Sequence, residues 1–229
     1  MIFYHNFVAI NSKYVYMMRY CYLLWIIFVH ILPACAQKTY MPHAGDLLFQ
    51  VKGDSDFSDA ISNATAWKDS VKFVHVAIVA LNTDNEPYII EASDCRGVTC
   101  TAWNEFIASS PMIDGKPGIV AMRVCEDFDA DRVVARALEH LGEEYDWSYR
   151  PDNGKMYCSE LVYESYRKED GSALFTARPM NFRDAEGNMP VFWTTLFAKL
   201  GEPVPEGVPG TNPNDMSKEK VLKEVYRFF

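Results

Sequence analysis

Two apolar segments lying close together in the chain constrain the fold more than any other feature. Phe73-Val74-His75-Val76-Ala77-Ile78-Val79-Ala80 and Pro87-Tyr88-Ile89-Ile90-Glu91-Ala92 are rich in the β-branched and aromatic residues that suit strands. Between them lies Asn82-Thr83-Asp84-Asn85-Glu86, a run of turn-forming side chains. This pattern predicts an antiparallel hairpin. Each strand carries one residue out of character with its neighbours, His75 and Glu91. If the register puts both on one face, they can sit side by side. Gly45 to Val51 and Ile119 to Val124 read as further strands, and Cys125, at the end of the second run, reads as core.

Helical patterns surround these strands. Asp129 to Gly142 has an acidic cap, a face of Val133, Val134, Ala137, Leu138 and Leu141, and a terminal glycine. Asp54 to Ala66, Thr101 to Ala108 and Val191 to Leu200 fit shorter helices or ordered loops. In Tyr157-Cys158-Ser159-Glu160-Leu161-Val162-Tyr163 the positions Cys158, Leu161, Val162 and Tyr166 share one helical face, after the turn-forming run Arg150 to Lys155. Cys158 therefore falls in a first helical turn. There, unpaired backbone N–H groups and the positive end of the helix dipole favour a thiolate. The same cysteine would also serve as a small buried hydrophobe. Gly201 to Asn214 is rich in proline and glycine and has no period, so it is either solvated or draped over the core.

At 229 residues and 49% hydrophobic, the chain can bury one sizeable core. Residues 1–36 hold two basic residues, Lys13 and Arg19, and no acidic one; the remainder carries 20 basic against 31 acidic residues. Such an acidic body, with no basic stripe, excludes nucleic acid as a partner held by charge. The apolar run Leu23 to Leu32 follows Arg19 and closes on Pro33-Ala34-Cys35-Ala36, the pattern of a cleaved export signal, with Met17 or Met18 as alternative starts. Its ten residues fall short of the roughly 20 that span a membrane. The expected organisation is a signal segment over 1–36 and a single domain over 37–229, in a secreted or periplasmic protein. Cys35 also fits a lipoprotein box, which leaves a lipid anchor at Cys35 as the one membrane attachment to consider.

Export changes how the remaining cysteines read. Cys95 and Cys100 bracket a four-residue loop that could close a disulfide in an oxidising compartment. Their spacing is too wide for a redox C-x-x-C pair and no histidine lies nearby, so neither zinc nor another metal is expected. No cofactor motif is present. Cys158 remains as a thiol beside a strand histidine and a strand glutamate. A glutamate bonded to one imidazole nitrogen would leave the other free to take a proton from the thiol.

Several motifs together carry a resemblance. Gly-Asp-Leu-Leu-Phe (45–49), His-Val-Ala-Ile-Val (75–79), Ile-Ile-Glu-Ala (89–92), Gly-Val-Thr (97–99) with Trp103 and Phe106, Tyr-Asp-Trp (145–147) and Tyr-Cys-Ser-Glu-Leu-Val-Tyr (157–163) resemble the circularly permuted NlpC/P60 cysteine hydrolases. The likeness is to the YiiX/YebB-like group of the papain-like superfamily, in which histidine precedes cysteine as it does here. It runs from about Gly45 to Arg167, with a familiar Pro-rich stretch near Pro209 to Pro213.

The resemblance implies an α+β, circularly permuted papain-like fold, an antiparallel sheet packed against the nucleophile helix. It implies Cys158 as nucleophile, His75 as base, Glu91 as the group orienting His75, and Tyr157 as a residue lining the substrate site or helping the oxyanion. The expected activity is hydrolysis of an amide, in a peptide or a cell-wall peptide, through an acyl-enzyme. The alternatives are a lipid-directed acyltransferase or thioesterase, since lecithin:retinol acyltransferase relatives share the permuted fold, and a non-catalytic module.

Overall fold

The computed structural model describes residues 39–68 and 70–229. The expected signal segment and Cys35 lie outside the described residues. In chain order the elements are β1 (Leu47–Val51), α1 (Asp56–Thr65), β2 (Phe73–Leu81), β3 (Pro87–Ser93), β4 (Gly97–Ala102), α2 (Trp103–Ser109), β5 (Met112–Ile113), β6 (Lys116–Pro117) and β7 (Ile119–Val124). There follow α3 (Ala130–Glu139), α4 (Cys158–Ser165), β8 (Arg178–Pro179), α5 (Val191–Leu200), β9 (Pro209–Gly210), α6 (Pro213–Met216) and β10 (Leu222–Arg227).

Six strands form one antiparallel sheet in the order β10-β7-β1-β2-β3-β4. The expected hairpin is β2–β3. In its turn the Asn82 side chain accepts from the backbone N–H groups of Asp84 and Glu86 at 2.9 and 2.8 Å. A third strand, β4, extends the hairpin into a meander, and Thr101 belongs to that strand rather than to the helix expected from it. The tight turn into β4 needs Gly97 (φ +69°), whose missing Cβ lets it press against the Glu143 backbone. Val98 N–H then donates to Glu143 O at 2.8 Å, which ties this end of the sheet to the segment leading towards Cys158.

Both faces of the sheet are buried. Leu47, Phe49, Val76, Ile78 and Ile90 pack with Leu161, Val162, Val133 and Ala137 of α4 and α3. Leu48, Ala77, Val79, Ile89 and Ala121 pack with Phe106 of α2 and a layer of Tyr40, Trp103, Tyr226 and Phe228. A fully buried side chain of this size contributes about 1.5–3 kcal/mol, so both layers hold the strands that carry the site.

Three further details bear on the sequence expectations. Helix α3 starts on Asp129, whose carboxylate accepts from Arg132 N–H at 3.0 Å, but it ends at Glu139 and leaves Leu141 exposed. Strand β7 ends at Val124, which puts Cys125 at the surface rather than in the core. Cys95 and Cys100 are separate, exposed thiols. Cys95 lies in the β3–β4 turn, whereas Cys100 opposes Ile90 along the ladder.

Candidate active site

The site forms where the sheet opens. Cross-strand pairing of β2 with β3 runs from Leu81–Pro87 to Ile78–Ile90 and stops. Against β1, Gln50 opposes His75 and Val51 opposes Phe73, so Val74 is an extra residue in a bulge. Bulges bend a strand and re-aim its side chains. His75 keeps the parity of Ala77 and Val79, and its ring centroid lies 6.1 Å from that of Phe106. Beyond the last ladder pair, a helix packed on one face can reach a ring carried on the other.

The buried side chain of Asn214 fixes this strand end. It accepts from Phe73 N–H at 2.8 Å and donates to Phe73 O at 2.7 Å and Thr65 Oγ1 at 2.8 Å. It supplies the pairing that a neighbouring strand would otherwise give β2.

His75 and Glu91 meet as their strand positions allow. Extending the β2–β3 register would set His75 opposite Ser93, so Glu91 is its diagonal neighbour on the same face. His75 Nε2 lies 2.7 Å from Glu91 Oε2. The Cys158 thiol is the ring's other polar side-chain neighbour, and its charge favours the imidazolium. The other carboxylate oxygen, Glu91 Oε1, accepts from Thr101 Oγ1 at 2.5 Å. Arg96 Nη2 donates to Thr101 Oγ1 at 3.0 Å and lies 3.5 Å from Glu91 Oε1. Burial alone would push the imidazolium down, but the hydrogen bonds and charges of Cys158 and Glu91 outweigh it and push His75 up to about 10. Burial likewise opposes ionisation of Glu91, and His75, Thr101 and Arg96 together hold its carboxyl below the usual range.

Cys158 is the first residue of α4, as its spacing predicted, and is almost completely buried. At that position its N–H has no acceptor within the helix. Glu160 sits in the same first turn, where a carboxylate would compete with a thiolate for the helix dipole. Burial, followed by the nearby charge of Asp146, pushes Glu160 up to about 8, so it is mostly protonated at neutral pH. The helix end thus keeps its positive character for the sulfur.

Two unlike spaces meet at these residues. Cys158 borders a cavity of about 50 Å³ whose walls include Tyr145, Tyr149, Tyr157, Met180, Phe182 and Trp193. The rings interlock: Tyr149 lies 5.1 Å from Tyr157 and 5.6 Å from Trp193, and Phe182 lies 5.1 Å from Trp193. His75 and Glu91 border a groove of about 420 Å³ lined also by Asp94, Arg96 and Glu105. Ile61, Val74 and Tyr145 belong to both.

Tyr157 lines the cavity, and its hydroxyl accepts from Thr211 N–H at 3.1 Å. Thr211 Oγ1 donates to Ser159 Oγ at 3.0 Å, so the Pro/Gly-rich segment is draped over the start of the cysteine helix. Sequence reasoning singled out Cys158, His75, Glu91 and Tyr157, and the structure brings all four together. It missed Thr101, Arg96, Asn214 and the aromatic cage, for which the alternation Val98-Thr99-Cys100-Thr101 was the one local signal.

Comparison with known proteins bears on the fold and the family. YiiX of Escherichia coli K12, itself described as uncharacterized, is 23% identical over 184 residues, covering 79% of this chain and 84% of that protein. The crystal structure of metalloprotein YiiX from Escherichia coli O157:H7 matches the fold with a TM-score of 0.66 at 24% identity, over 82% of this chain and 98% of that one. The model of the permuted papain-like amidase enzymes, the YaeF/YiiX or C92 family, matches residues 41–226. With that match spanning both the histidine strand and the cysteine helix, the chain belongs to the permuted papain-like amidases of the YaeF/YiiX family.

Proposed function

We propose that this protein is an exported cysteine amidase that cleaves a peptide or cell-wall peptide-like amide through an acyl-enzyme. The observation that carries the reading is the 2.7 Å contact of His75 Nε2 with Glu91 Oε2, beside a Cys158 set at the first turn of its helix, where the thiol and the carboxylate together raise the imidazole. Glu91 fixes the tautomer and orientation of His75, and His75 takes the Cys158 proton. The sulfur then attacks the substrate carbonyl carbon, and the developing oxyanion is met by the Cys158 N–H at the helix start. As the C–N bond breaks, His75 returns the proton to the leaving amine. Water, deprotonated by His75, hydrolyses the thioester, which releases the acid and restores the thiol. Export rests on the apolar run before Ala36, with Cys35 as the candidate lipid anchor.

The apolar cage beside Cys158 also supports a second reading, transfer or hydrolysis of an acyl ester or thioester. The YiiX neighbour is a metalloprotein by name. Among the described residues of this chain, no group of three or more His, Cys, Asp or Glu side chains could hold a metal ion, so the donor set does not fit one. The steps above use the chain's own side chains.

The test is a parallel assay of the protein and its Cys158→Ala variant on peptidoglycan-derived peptides and on short acyl esters. The expected result is amide hydrolysis that Cys158→Ala lowers by about 10³-fold or more while the fold is kept. Full activity in a folded Cys158→Ala protein would remove the cysteine mechanism, and turnover of esters alone would select the second reading.

A further inference from the structure

The mechanism above uses one oxygen of Glu91 and leaves the other unexplained. Glu91 is 6% exposed, and an ionised carboxylate so deep in the protein is costly unless its oxygens are bonded. Its Oε2 faces His75. Its Oε1 is held by Thr101 Oγ1 at 2.5 Å, with the Arg96 guanidinium 3.5 Å away. Thr101 reaches it because it stands two residues along β4 from Thr99, the direct partner of Glu91, on the same sheet face. Arg96 bonds the Thr101 oxygen at 3.0 Å with one nitrogen and Glu105 Oε1 at 3.0 Å with another. Thr101 therefore uses its hydrogen towards Glu91 and its lone pair towards Arg96, a chain with one consistent polarity.

We infer that Thr101 and Arg96 are positioning residues that keep Glu91 ionised and turned with Oε2 towards His75, so that the site stays assembled in mildly acidic surroundings. The inference rests on the reading of Glu91 as the group that orients His75. Several other groups line the groove that Glu91 borders. His75 comes from β2, Asp94, Cys95 and Arg96 from the β3–β4 turn, Glu105 from α2, and Tyr145 from the segment before the cysteine helix. Of these, His75 and Arg96, with Thr101, favour the Glu91 charge against its burial. Without the Thr101 hydroxyl or the Arg96 charge, Glu91 takes up a proton at higher pH, and its bond to the imidazolium is lost there.

The test follows the ring Cε1–Hε1 resonance of His75 through an acid titration by NMR, which needs no substrate. Of the three histidines beyond residue 38, His43, His75 and His140, it is assigned by its loss in His75→Gln. In the parent protein the resonance shows an acid-side inflection from Glu91 that Glu91→Gln abolishes. Thr101→Val and Arg96→Gln are each expected to move that inflection up by about one pH unit, as loss of a nearby cation or donor does. Thr101→Ser should return it to the parent position. Arg96 lies in an exposed turn, so its variant carries the test if Thr101→Val does not fold. An inflection that Glu91→Gln removes but that neither variant moves overturns this inference alone. An acid titration with no such inflection, unchanged by Glu91→Gln, overturns the reading of Glu91 as well.

Discussion

The two walls of the cleft are built differently. The His75 wall is made of adjacent strands: three residues of the β2–β4 meander, His75, Glu91 and Thr101, form one bonded line on one sheet face. The Cys158 wall is assembled from a helix start and aromatic residues that come from segments far apart in sequence, among them Tyr149, Phe182 and Trp193. A sheet sets side-chain positions through its register, so it is the better support for charges that must stay aligned. Loops tolerate change, so they are the better place for walls that select a substrate. On the proposed function, the difference makes proton handling and substrate selection separable.

Substitutions on each wall sharpen that separation. Beyond the nucleophile itself, the largest effect is expected on the polar side. Glu91→Ala should lower kcat by about 10²-fold or more and Glu91→Gln by less, because an amide still bonds the ring but does not balance its charge. Neither should change KM much, and a comparable rise in KM for both would show that Glu91 contacts substrate instead.

A smaller effect is expected on the apolar side. A Cβ on Gly210 would meet Met180 Sδ at 2.5 Å and Tyr157 Oη at 2.9 Å. Gly210→Ala should therefore displace the roof of the cavity, cost about 1–3 kcal/mol of stability as overpacking does, and raise KM or change the preferred acyl group. The His75 titration should stay where it was. If kcat and the His75 titration moved with KM, the two walls would be coupled and the separation would fail.

The same contrast explains what could be read in the sequence. His75 and Glu91 were legible because a polar residue inside an apolar strand is conspicuous, and Cys158 because its helical spacing to Leu161, Val162 and Tyr166 is local. Thr101 was hidden: Trp103, Phe106 and Ile107 have helical spacing, which drew the helix boundary back over a short edge strand with little apolar content. Strand β10 was missed for a similar reason. Its register shifts between Glu224 and Tyr226, so the alternation that would reveal it is broken. Cys125 continues the apolar run from Ile119, yet the strand ends one residue before it. Leu141 behaves in the same way, since a periodic face does not say where its last turn frays. The aromatic cage was illegible because Tyr149, Phe182 and Trp193 share no local pattern. Only the folded chain brings them to Cys158.

The central claim is that Cys158, though buried, is the reactive thiol because His75 and the helix start act on it together. Competitive alkylation by iodoacetamide tests this most directly, since Cys95, Cys100 and Cys125 are all exposed and Cys158 is not. Accessibility alone would label the three surface cysteines first. The account predicts that Cys158 in the native protein is labelled at least about tenfold faster than any of them near neutral pH, and that His75→Ala moves its rate profile to higher pH. Labelling of Cys158 no faster than of Cys125, with a profile indifferent to His75→Ala, would contradict the account and leave Cys158 as a packing residue.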